Sequence, residues 1–161
     1  MKVFKEEQRF TQWWVWLMLL SINTLFIFGS VKQIFFKTPF GNNPMNNIGL
    51  GITTFILIIF TILFFSVKLK TKIDQTGIYY YFSPFQFKTK KIEWNTIESI
   101  RVIKYKPILN YGGWGIKHGS YTVKGNIGLQ IIFKNQKKIL IGTQKENEIK
   151  LVLENYKNKL L

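Results

Sequence analysis

Two long apolar runs, Trp13 to Ser30 and Ile48 to Val67, fill much of the first half of the chain, and short alternating stretches follow them. The second run holds fourteen Ile, Leu, Phe or Val among twenty residues and no charge. Twenty residues at helical rise span about 30 Å, the thickness of a bilayer's hydrocarbon core. At roughly −0.3 to −0.6 kcal/mol each, those side chains favour insertion by about 4 to 8 kcal/mol. The first run is interrupted by Ser21, Asn23 and Thr24. The pattern predicts transmembrane helices over 13–30 and 48–67. The loop 31–47 between them carries turn chemistry at Pro39-Phe40-Gly41-Asn42-Asn43-Pro44. Ser21 and Asn23, with Gly49 and Gly51 opposite, would permit close contact in an antiparallel hairpin; a polar residue tolerated without a partner is the alternative.

From Lys68 the period shortens. Strands are expected over about 68–74, 78–82, 86–92, 99–105, 120–124, 129–134 and 138–141, with a turn at Gln75-Thr76-Gly77 and an irregular, glycine-rich segment over 107–119. Thr143-Gln144-Lys145-Glu146 fits a capping box, and Ile149, Val152, Leu153, Tyr156 and Leu160 share one helical face. The expected fold is a two-helix transmembrane hairpin followed by a mostly-β small barrel or sandwich of about seven strands, closed by a C-terminal α-helix. The 1–12 segment is read as a short extension, and 68–161 as a domain able to bury its own core.

Charge sets the orientation. The chain carries 23 Lys and Arg against 8 Asp and Glu, a net +15. Near the spans, Lys2, Lys5, Arg9, Lys68, Lys70 and Lys72 lie on one side, and only Lys32 and Lys37 on the other. That bias predicts both termini in the cytoplasm, with Trp13, Trp14 and Trp16 as an interfacial belt. Basic residues before an apolar run also describe a cleaved signal peptide. The run is long for one, and Phe28-Gly29-Ser30 fits a cleavage site poorly, so a retained anchor is expected. With no cysteine, disulfides, thiolate metal sites and Cys nucleophiles are excluded, and the lone His118 leaves little room for zinc or triad chemistry.

Tyr111-Gly112-Gly113-Trp114-Gly115-Ile116, Tyr121-Thr122-Val123-Lys124-Gly125 and Ile139-Leu140-Ile141-Gly142-Thr143-Gln144, after two spans, resemble membrane-attached bacterial PH-like (pleckstrin-homology-like) domains. The resemblance covers roughly 69–161. It rests on turn glycines and packing aromatics, so it implies a fold and a bacterial inner-membrane location, and carries over no catalytic residue.

Two candidate sites follow. Lys68, Lys70 and Lys72 would contact anionic headgroups at about 1 kcal/mol each, or serve only as the topology signal. Tyr111, Trp114, Lys117 and His118 would form a partner-binding loop, or simply pack over the domain. His118 and Ser120 lack the third group that orients a catalytic base, so a lipid-acting enzyme is a remote alternative. The expected function is non-enzymatic: a cytoplasmic domain that binds or scaffolds a protein partner at the bilayer. An anionic-lipid sensor, suggested by the +12 balance of 68–161 (18 bases, 6 acids), is the alternative. No cofactor, metal or nucleic acid is assigned, and the oligomeric state is left open.

Overall fold

The computed structural model of the chain describes residues 3–156. They form two compact units. Thr11–Ser66 is one; the other joins the residues up to Phe10 to those from Val67 onward.

The first unit is a helix pair, α1 (Trp13–Ser30) and α2 (Asn47–Ser66). Helical structure continues past α1 as a π-type segment, Val31–Phe35, so the connecting loop is shorter than expected and runs over 36–46. No glycine or proline interrupts 31–35, and the buried Gln33 closes the end of the pair. Its Nε2 donates to Met45 O at 2.6 Å and Asn47 Oδ1 at 2.9 Å, and its Oε1 accepts from Phe40 N–H at 3.2 Å.

The helical stretches Trp13–Phe35 and Asn47–Ser66 are long and apolar enough to cross a membrane, with mean hydropathies of 1.8 and 2.6. Most of their large side chains, including Leu17, Leu20, Phe28, Phe55, Phe60 and Leu63, face outward. Polar pairs join them: Asn23 Nδ2 donates to Thr61 Oγ1 at 2.8 Å, and the hydroxyls of Ser30 and Thr54 lie 2.7 Å apart. Trp16 meets Phe64 and Phe65 edge-on, each ring centroid 5.8 Å away, as antiparallel helices require. Of the residues expected at the helix contact, Asn23 takes part through Thr61, and Ser21 and Gly49 do not. Ser21 is exposed, and Gly49 adjoins Met45 and Asn46 of its own approach. Gly29 is the close-packed glycine, because a Cβ there would sit 2.6 Å from the Phe40 ring.

The second unit holds two sheets. The first has the order β1 (Phe4–Arg9), β2 (Lys68–Asp74), β3 (Gly77–Ser83), β4 (Lys90–Ile92), all antiparallel. The second contains β5 (Ile97–Lys104), β6 (Gly115–Lys117), β7 (Ser120–Thr122), β8 (Ile127–Phe133) and β9 (Lys138–Gly142), in the order β5-β8-β9-β7-β6. Its β7–β9 pairing is parallel. The described part of the unit also holds a 3-10 turn, Trp94–Thr96, and two α-helices, α3 (Pro107–Tyr111) and α4 (Glu146–Glu154).

Among the described residues, nine strands replace the expected seven. The additions are β1, in the segment read as an extension, and β6, in the segment read as irregular. The expected strand over 86–92 shortens to Lys90–Ile92, because 84–89 leaves the sheet as a loop. Leu69, Ile73, Ile78, Phe82, Ile97, Val123, Leu129, Ile131 and Ile141 form the core, and α4 covers it with Ile149, Val152 and Leu153. Trp94 stacks on Tyr156 with centroids 5.2 Å apart. Leu160 lies outside the described residues. The capping box does not form: α4 begins at Glu146 with Lys145 as N-cap, so Thr143 sits too far upstream. Its hydroxyl instead accepts from Lys145 N–H at 3.1 Å and donates to Glu6 Oε2 at 2.7 Å.

Candidate functional site: a basic and aromatic sheet face

Strand alternation builds the site. Along β2, Leu69, Thr71 and Ile73 point into the core, so Lys68, Lys70 and Lys72 all project from the opposite face. The antiparallel register then lays out cross-strand rows. Lys5 pairs with Lys72 and Lys72 with Tyr79; Glu7 pairs with Lys70 and Lys70 with Tyr81; Arg9 pairs with Lys68 and Lys68 with Ser83. Tyr79 in turn pairs with Lys91 of β4. Neighbouring strands lie about 4.8 Å apart, so each row forms a continuous ladder of side chains.

Six bases share this face, and Glu7, Asp74 and Glu93 temper them. Glu7 carries the densest set of contacts: Arg9 at 2.9 Å, Lys70 at 3.4 Å and Lys68 at 3.8 Å. The hydrogen bond from Arg9, helped by Lys68 and Lys70, holds its carboxyl below the usual glutamate range. Lys72 lies 2.6 Å from Asp74 and 5.3 Å over the Tyr79 ring. Burial pushes the Asp74 carboxyl up, but hydrogen bonds from Lys72 and from the Thr76 hydroxyl and amide outweigh it and lower its pKa to about 2. Lys91 meets Glu93 at 3.1 Å. Among the described residues no acid pairs with Lys5. An open groove of about 600 Å³ runs over this face, lined by Lys5, Glu7, Lys70, Lys72, Tyr79, Tyr81 and Thr89. Ammonium groups beside tyrosine rings offer charge, hydrogen-bond donors and flat apolar surface together.

The structure thus gathers Lys68, Lys70 and Lys72 and adds Lys5, Tyr79 and Tyr81, which the sequence did not single out. The signal for Lys5 is faint because β1 reads Phe-Lys-Glu-Glu-Gln-Arg, with only Phe4 apolar among its inward positions. Its other inward side chains, Glu6 and Gln8, are buried through hydrogen bonds: Glu6 with Thr143 and Gln144, Gln8 Nε2 with Gly142 O at 2.6 Å. Hydrophobic periodicity has no purchase on such a strand.

Three of the four residues of the expected partner-binding loop make contacts within the β unit, and the fourth, His118, is exposed. Trp114 Nε1 donates to Gly125 O at 2.8 Å, and Lys117 Nζ donates to Gly112 O at 2.6 Å, beyond the end of α3. Tyr111 meets Tyr105 edge-on at 5.8 Å. His118 and Gly119, both at positive φ, form the two-residue turn between β6 and β7, where Lys117 pairs with Ser120. Ser120 is fully buried, and its hydroxyl donates to Lys117 O at 2.7 Å. Lys117 and His118 are exposed, as are the apolar side chains of Ile108 and Leu109 in α3 and Ile116 in β6.

Residues 2–155 match a family described as a family of unknown function (DUF6141), and the chain belongs to it. No curated protein and no solved structure matches the sequence.

Proposed function

We propose that this chain is a membrane-anchored, non-enzymatic binding module. Its helix pair spans a bacterial inner membrane, its PH-like β unit lies in the cytoplasm, and the groove over β1, β2 and β3 holds an acidic segment of a partner protein. One observation carries this reading: the register brings Lys5, Lys70 and Lys72 together with Tyr79 and Tyr81 on a single open face.

Several features support it. The pairing of β1 with β2 joins the chain before α1 and the chain after α2 in one sheet, which agrees with both flanks lying on one side of a bilayer. Both helices lack charge and present apolar side chains outward, as lipid-facing helices do. The groove centres on Lys70 and Lys72, the latter about 13 Å along β2 from Lys68. That distance from the strand end joined to α2 favours a partner reaching in from the cytosol. A second reading, a lipid-headgroup site, draws on Lys68, which is only two residues past the end of α2.

A photo-crosslinking residue in place of Tyr81, in the full chain in cells, tests both. A discrete protein adduct that disappears on Lys70→Glu is expected. Adducts to lipid alone would transfer the groove to the second reading, and no adduct of either kind would sink both.

A further inference from the structure

The connection between β3 and β4, Pro84-Phe85-Gln86-Phe87-Lys88-Thr89, carries two of the most exposed aromatics of the β unit. Phe87 is 96% exposed and Phe85 65%. A single exposed apolar side chain is ordinary. Two on one short loop, beside the exposed Lys88, form a compact apolar and basic tip. The loop is pinned at its base. Gln86 N–H donates to Phe82 O at 2.8 Å, Gln86 Oε1 accepts from Phe82 N–H at 2.9 Å, and the Phe85 ring lies 6.1 Å from that of Phe82.

Its position within the sheet suggests what covers it. Arg9 ends β1, Lys68 begins β2 and Ser83 ends β3, and these three pair side by side. The loop therefore leaves from the same end of the sheet as the two segments leading to α1 and α2. From Arg9 only three residues precede Trp13, and Lys68 is two residues past Ser66. The opposite end holds the Asp74–Gly77 turn, about 20 Å away along β2.

We propose that the Phe85–Lys88 tip is a third contact with the bilayer. Phe85 and Phe87 enter the headgroup and upper acyl region while Lys88 meets anionic phosphates; Lys90 turns away, its Nζ 3.4 Å from the Tyr121 hydroxyl. This rests on the membrane reading above and extends it: two helices and one loop fix the β unit at the surface. Aromatic rings with a neighbouring lysine suit that boundary, where one part of the group is apolar and the other wet.

The chain has no cysteine, so a single thiol can be placed and labelled cleanly. A fluorophore on Lys88→Cys, in the full chain reconstituted in phosphatidylcholine–phosphatidylglycerol vesicles, is read with nitroxide lipids. Quenching at least threefold stronger than for the same label on Gln75→Cys is expected, falling to the Gln75 level when Phe85→Ser and Phe87→Ser are added. Equal quenching at the two positions, in a protein that floats with the vesicles and resists alkaline carbonate, overturns the loop contact and leaves the membrane anchor standing. A protein that washes off in carbonate overturns both.

Discussion

Glu6 and Thr143, 137 positions apart, are joined by a buried hydrogen bond of 2.7 Å. The same carboxylate accepts from Gln144 N–H at 2.8 Å, so one side chain ties β1 to the approach to α4. Glu6→Ala leaves a buried hydroxyl and a partly buried amide without their acceptor. A loss of about 1–3 kcal/mol is expected, read as a lowered unfolding midpoint of the full chain in detergent.

Glu6 and Asp74 should give stability opposite dependences on pH. Burial raises the Glu6 carboxyl above its ordinary 4.5, although Gln144, Thr143 and Lys145 pull it down. The folded chain binds that proton more tightly, so this contribution is full below about pH 4.5 and is lost as pH rises through the folded value. Asp74, lowered from 3.8 to about 2, contributes above its unfolded value, and that contribution is lost as pH falls toward 2. Melting curves against pH for Glu6→Gln and Asp74→Asn, each subtracted from wild type, should slope in opposite directions. Parallel slopes would contradict this assignment.

The polar pair inside the helix unit should be measurable but modest. Asn23 donates to both Leu19 O and Thr61 Oγ1, each at 2.8 Å. A double-mutant cycle with Asn23→Ala and Thr61→Ala should return a coupling of about 0.6 kcal/mol, with an upper bound near 1.7 kcal/mol. A steric assay of helix association in membranes, or reversible unfolding in bicelles, would supply the four corners.

Gly77 and Gly125 look alike in sequence and should behave differently. Gly125 has φ +78 and open space around it, so Gly125→Ala costs only left-handed strain, about 1–2 kcal/mol. A Cβ at Gly77 would collide with the carbonyl oxygen of Ile92, where β3 pairs with β4. Gly77→Ala should therefore be the more damaging, and equal melting temperatures for the two variants would refute the packing described at that turn.

How far the sequence foretold these features depended on which force shaped each segment. The helix pair was legible because long apolar runs without charge, glycine-proline breaks or alternation favour helix. The strands β2, β3, β5, β8 and β9 were legible through β-branched and aromatic residues between turn signals. The short β6 hides among glycines, and β1 hides because Glu6 and Gln8 are buried by hydrogen bonds rather than by apolar area. The capping box misled for a related reason: Thr143 spends its hydroxyl on Glu6, a partner no local window contains. Of the candidate site, alternation in Lys-Leu-Lys-Thr-Lys marked the three lysines of β2. Their neighbours Lys5, Tyr79 and Tyr81 came only with the register.

The division of the β unit around the helix pair has a consequence for how the protein is made. Gln8 leaves the ribosome 134 residues ahead of Gly142, the carbonyl it will bind. At 5–20 residues per second, that gap is about 7–27 s. Throughout it the first strand waits without its final contacts while the two apolar helices are made. A strand with polar residues at most of its inward positions is well suited to waiting, since it gives nascent neighbours and chaperones little to seize.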